Sequence, residues 1–273
     1  MLSAANPLAF DRRVRFVERG HSYYVDDQKA RVSVTGLVSN SFSKFDSDAV
    51  ICQNFFKWKE NASSTYYQTI QGCDGDDERA KRLIKAGWTK KGRDACAIGT
   101  KLHLLIEQTL NDEAIDEGKM ADLTAEREGF RKWQAGWCAE RKLVPYRTEL
   151  KVFATNEAGS PVVAGCIDAL FVNDVGDFIL VDWKRSKSFP ADAAHYGRFG
   201  VGHCSAVKDV QHNKYTLQLA IYAAMLKRLG LDVGDRRYLV RLSAEDGAEV
   251  IHAHFDGCDD VARALLKDAG VAD

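Results

Sequence analysis

From Arg13 to Val38 apolar and polar positions alternate around the stretch DDQK, the period-two pattern of a β-hairpin. The following SVTGLVSNSF turns strand into helix, with Ser33 or Thr35 placed to cap the exposed amides. From Asp46 to Leu143 the apolar positions recur mostly with the helical period, broken near GCDGDDE and at GWTKKGRDACAIGT. The period changes again at Arg147. RTELKVFAT, VVAGCIDALFV and FILVDWK read as three consecutive strands, joined by a GSP turn and an NDVGD turn. A helix over residues 213 to 229, NKYTLQLAIYAAMLKRL, and a strand, RRYLVRLS, follow.

This order predicts an α/β fold with a central mixed β-sheet flanked by helices, preceded by an N-terminal β-hairpin and a helical region. No repeat or low-complexity linker interrupts it, and only 4 prolines punctuate the chain, so no clean domain boundary shows. Residues 1–45 form a hairpin and connector in this reading. Residues 46–273 form one compact unit that includes a helical wall over 46–143.

Composition narrows the classes. The 273 residues are 45% hydrophobic and 28% charged, ordinary for a globular chain, and the net charge of -1 offers no global polycation to draw it onto nucleic acid. Any such partner must meet a local patch. The 7 cysteines are an odd number without a C-x-x-C pair, which points to a reducing, intracellular setting rather than a disulfide framework. No run reaches the roughly 18 to 20 apolar residues of a membrane span. The start MLSAANPLAFDRRVRF lacks the apolar core of a signal peptide, and Asp11 and Glu18 count against an organelle-targeting reading of its arginines.

The candidate chemistry lies at FILVDWKRSKS, where an apolar run ends in Asp182, Trp183 and Lys184. On a strand Asp182 and Lys184 share one face and Trp183 turns to the other. Such a pair can be a strand-end ion pair. Asp168, however, lies in the preceding strand, and a hairpin turning near residues 173 to 177 brings it roughly opposite the end of the second strand. Two carboxylates this close call for a cation between them, and hard oxygen ligands suit Mg²⁺ or Mn²⁺. Lys184 then stands where it can orient or deprotonate an attacking water and counter the charge of a phosphate. His103, on a helix entered through Gly99 and Thr100, is a plausible further metal ligand, with Glu107 one turn later on the same face. Glu149 reads either as a carboxylate supporting the metal site or as a strand-surface acid. Gln218 and Tyr222 share one helical face and could present an amide and a phenol to a phosphate or base.

The order H, E, G-x-x-D, D-x-K, Q-x-x-x-Y resembles the PD-(D/E)XK nuclease superfamily, in its RecB-like branch with the Cas4 nucleases, and looks most like the mitochondrial genome maintenance exonuclease group. The likeness runs from SVTGLV through FFKWKE, GTKLHLLIE, ELKVF, GCIDALF, ILVDWKRS and YTLQLAIYAAM, some two thirds of the chain. It implies a restriction-endonuclease-like core and a divalent-metal-dependent phosphodiesterase. His103, Asp168 and Asp182 would ligate Mg²⁺ or Mn²⁺ with the main-chain carbonyl of Trp183, and Lys184 would serve the attacking water. Gln218 and Tyr222 would help hold the strand, alongside Arg185 and Ser186. Position 185 is Arg where the family more often has Thr. Several relatives bind an iron-sulfur cluster through one early and three late cysteines; only Cys258 lies beyond the Q-x-x-x-Y helix here, so no cluster is expected.

Lys81, Arg82, Lys85, Lys90, Lys91, Arg93 and Lys101, with Trp88 among them, could track a phosphate backbone and stack a base, or be a solvated helix face. GCDGDDE hints at calcium, but Arg79 falls where an EF-hand loop needs Gly. His252 and His254 could form a zinc pair, yet lack a third ligand and read as a strand edge. Neither a P-loop nor a nucleophile elbow is present. The expectation is a metal-dependent DNase, an exonuclease with single-stranded DNA or flaps as substrate. The rivals are an endonuclease of a viral or mobile element and a nucleic-acid-binding module that does not cut.

Overall fold

After a short α1 (Leu2–Ala5), the N-terminal alternation folds into a three-stranded antiparallel sheet: β1 (Val14–Val17), β2 (Ser22–Val25) and β3 (Gln28–Lys29). This is a computed structural model, and it describes residues 1–193 and 196–272. The expected single hairpin around DDQK is therefore two. β1 pairs with β2 through Val17↔Ser22, and the second reversal uses Asp26 and Asp27, both at positive φ. Asp tolerates that left-handed backbone better than most residues. β4 (Val32–Ser33) leaves this sheet and pairs in parallel with the main one. Of the two candidate caps, Ser33 is the one used: its Oγ accepts from the Gly36 amide at 3.0 Å and starts α2 (Val34–Asn40).

Contacts divide the chain into two units, Met1–Ser43 with Leu102–Asp273, and Lys44–Lys101. The smaller unit holds α3 (Ser47–Glu60), α4 (Tyr67–Gln71) and the first part of α5 (Asp77–Leu110) around Ile51, Phe55, Ile70 and Ile84. GCDGDDE is a break, as expected. GWTKKGRDACAIGT is not, because α5 runs through it for 34 residues. Isolated glycines such as Gly87, Gly92 and Gly99 cost a helix roughly 1 kcal/mol each but keep every backbone hydrogen bond, and no proline intervenes.

In the larger unit α6 (Thr124–Trp133) continues into a π-helical turn, Gln134–Cys138. Then come β5 (Val144–Thr155), β6 (Pro161–Val172) and β7 (Phe178–Arg185), the three strands read from the sequence. α7 (Gln211–Arg228), β8 (Arg237–Ser243), β9 (Gly247–His252) and α8 (Cys258–Asp268) complete it. The six-stranded sheet has the order β4-β6-β7-β8-β9, with β5 on the other edge of β6. It is mixed: β7 and β8 run parallel, whereas β5, β6 and β7 are antiparallel neighbours. Trp183 points to one face, against Phe130 and Trp133 of α6. Asp182 points to the other, toward Gln218 of α7. The sheet is thus covered by helices on both faces, around a core that includes Leu150, Val163, Leu180, Leu217 and Leu239. Among the described residues no helix is long and apolar enough to cross a membrane.

Candidate metal centre

A fork in the sheet creates the site. One edge of β6 is paired along its length with β5, while the other edge is shared between β4 at Val163 and Ala164 and β7 at Ala169 to Val172. Between these, no strand among the described residues pairs with the edge at 165–168. β7 leaves β6 after the Ala169↔Val181 pair, so the amide of Trp183 loses a ladder partner. Asp168 supplies one: its Oδ2 accepts from that amide at 2.8 Å. A carboxylate beside diverging strands thus replaces a backbone acceptor.

Three donors converge there. Ligand atoms of His103, Glu149 and Asp168 lie within 4.8 Å of one another. His103 reaches the fork from α5, with Nδ1 3.5 Å from Asp168 Oδ1 and Nε2 3.1 Å from the Trp183 carbonyl. Glu149 comes from β5, where the flanking pairs Thr148↔Ala169 and Leu150↔Ile167 set it opposite Asp168. Its φ of 45° is left-handed, an uncommon state for a strand residue with a side chain. Cys166, two residues before Asp168 and hence on its face of β6, donates its thiol to Glu149 Oε2 at 3.1 Å.

Asp182 and Lys184 form the second half. Lys184 Nζ is 2.5 Å from Asp182 Oδ2, and both side chains are largely buried, 17% and 4% exposed. Oδ2 is buried, and the Lys184 ammonium beside it is its charge partner. Asp182 Oδ1 accepts from Gln218 Nε2 at 3.3 Å, a long bond. His103, Glu149 and Asp168, with Asp182 beside Asp168 and His103, are a donor set that could hold a metal ion.

Electrostatics follow from burial and proximity. Burial opposes the charge on His103, but the Asp168 carboxylate outweighs it, with a smaller pull from Asp182, and the imidazole is raised to about 9. Burial likewise opposes the charge on Asp168, yet His103, Lys184 and the Trp183 amide hold its carboxyl below the usual range. Burial raises Asp182 despite Lys184, and Asp168 adds to the rise. Burial and then Asp168 raise Glu149. The carboxylates are thus at odds with each other unless cations accompany them.

The remaining expected residues are dispersed. Glu107 is half-buried; burial, with Glu113, raises its carboxyl, and its charge acts on Glu149. Tyr222 is 3% exposed and fills the space over Gly165, where an added Cβ would come within 2.6 Å of the ring, so its phenol faces the interior rather than a strand. Arg185 Nε donates to the buried carboxylate of Glu126 at 2.8 Å. Ser186 Oγ donates to the Ser188 carbonyl. Lys90 and Lys91 are exposed on α5 within the smaller unit, Lys90 beside Asp94 at 3.4 Å. His252 Nε2 meets the Asp235 carbonyl, and His254 lies near Asp256; neither joins a cluster of three or more possible ligands among the described residues. Cys166 and Tyr215 are the neighbours that sequence reasoning missed. Cys166 was findable from its i−2 spacing to Asp168, whereas Tyr215, whose ring lies 4.7 Å from the Lys184 ammonium, becomes a neighbour only through the packing of α7.

Comparison with protein-family models and with curated proteins gives no match. Among solved structures, one described as "Crystal structure of SSO0001" is similar, at 18% identity and a TM-score of 0.29, over 56% of this chain and 60% of that one. This chain thus spans less than two thirds of that structure's length, and a likeness so distant carries no argument.

Proposed function

We propose that the chain is a metal-dependent DNase of the PD-(D/E)XK type, RecB-like, acting on single-stranded or flapped DNA. The observation that carries this is the convergence of His103, Glu149 and Asp168 at the fork of β6 and β7, with Asp182 and Lys184 alongside. The mixed sheet with helices on both faces is compatible with such a core. His103, Glu149 and Asp168 would hold Mg²⁺ or Mn²⁺, aided by Asp182 and the Trp183 carbonyl. The bound ion would supply Lewis-acid polarisation of a phosphodiester. Lys184, kept charged against Asp182, counters the charge that develops on a phosphate oxygen and stands within reach of proton transfer. Gln218 holds Asp182 in place. Lys90 and Lys91, exposed and cationic, suit the backbone of a strand.

The test is cleavage of end-labelled linear and circular single strands and of flaps with Mg²⁺ or Mn²⁺, beside Lys184→Ala. The expected outcome is cutting by the wild type, lowered about 10² to 10⁴-fold in the variant, as for loss of a positioned proton-transfer group. Cutting of circles marks an endonuclease, and cutting only of linear strands an exonuclease. Wild-type protein that binds strands and leaves all of them intact with every divalent ion would sink the reading and leave a binding module.

A further inference from the structure

Lys184 has a second neighbour. Its ammonium lies 4.7 Å from the centroid of the Tyr215 ring, on the first half of α7. The ring is half-buried and set in turn by Phe189, edge to face at 5.5 Å. Tyr215 and Gln218 are i and i+3 on α7, so one helical face meets both members of the ion pair: the ring meets Lys184, and the amide meets Asp182. A largely buried ammonium needs more than one negative partner, and a π-face supplies one without competing for protons or metal.

Resting on the reading of this site as a nuclease centre, we propose that Tyr215 is a positioning residue for Lys184, its ring holding the ammonium against Asp182 and toward the substrate phosphate. The ring, not the hydroxyl, carries the role. Loss of a cation–π contact at such a site corresponds to a fall in kcat of about 3- to 30-fold, with KM unchanged because no substrate contact is removed.

Two readouts test it. In protein labelled with ¹³C-lysine, the ring current of Tyr215 moves the Lys184 ε-methylene signals upfield; Tyr215→Phe preserves that shift and Tyr215→Leu abolishes it. In cleavage assays Tyr215→Leu lowers kcat by the stated factor while Mn²⁺ affinity and the unfolding midpoint stay close to wild type, and Tyr215→Phe recovers most of the loss. An unshifted Lys184 signal in the wild type overturns the proposal whatever the activity. So does a Tyr215→Leu enzyme with undiminished kcat, or one that loses Mn²⁺ affinity and kcat together, which marks general loosening. A wild type with the upfield shift but no cleavage of any strand removes the nuclease reading and overturns the catalytic role, while the contact itself stands.

Discussion

Glu149 is the residue at which the backbone gives most away. Its left-handed φ of 45° within β5 costs on the order of 1 to 3 kcal/mol, and a half-buried carboxylate facing Asp168 adds to that cost. Strain of this kind persists where the surroundings hold it, and here it aims a carboxylate at His103 and Asp168. Glu149→Gly should therefore leave urea stability unchanged or raise it by up to about 1 kcal/mol, while weakening Mn²⁺ binding. A loss of several kcal/mol would mean that the carboxylate serves the fold instead. The alternation around Asp182, Trp183 and Lys184 was legible from the strand period alone, and the structure keeps Trp183 on the opposite face. Glu149 could be named from the sequence but its backbone could not, because RTELKV carries no glycine or turn residue to announce a left-handed position.

At the scale of elements, the strands from β5 to β7 and the helix α7 were readable because period two and period 3.6 are strong signals over ten residues or more. What was misread depended on weak local punctuation. α5 passes through Gly87, Gly92 and Gly99, and at Gly92 an added Cβ would meet open space beyond the helix's own backbone. Gly92→Ala should raise stability by about 0.5 to 1 kcal/mol in thermal or urea unfolding, through helix propensity and a less flexible unfolded chain. An unchanged or lowered midpoint would argue against a continuous helix there. The attachment of the N-terminal segment to β5 was invisible in the sequence, since it joins residues 136 apart: Arg147, 5% exposed, donates to both Asp11 oxygens at 2.8 and 2.9 Å and to the Asn6 carbonyl. Burial would raise the Asp11 carboxyl, but Arg147 and the Leu8 amide hold it below the ordinary value. A carboxyl lowered by folding stabilises above its unfolded pKa, and that contribution is lost as pH falls through the lower folded value. Wild type should accordingly lose stability in acid more steeply than Asp11→Asn, which itself is destabilised by about 1 to 3 kcal/mol at neutral pH. Parallel acid profiles for the two proteins would contradict this.

For the whole molecule, the α/β class and the helices on both faces of a mixed sheet followed from the order of elements, whereas the fork that makes the site did not. A fork requires knowing that β4 and β7 share one edge of β6, and pairing between strands so far apart in sequence is not written in local pattern. The division into units was equally hidden, because the cut at Lys101 falls inside a continuous helix and leaves His103 with the sheet. All three converging donors, His103, Glu149 and Asp168, belong to the larger unit, and the account of function rests on their holding one divalent cation. Calorimetric titration of Mn²⁺ into wild type and Asp168→Asn tests this directly. The account predicts a saturable site in the wild type and an affinity at least about tenfold weaker in the variant, since loss of even a supporting partner commonly costs 10- to 100-fold. Equal Mn²⁺ affinity in the two proteins, or no binding to the wild type, would contradict it.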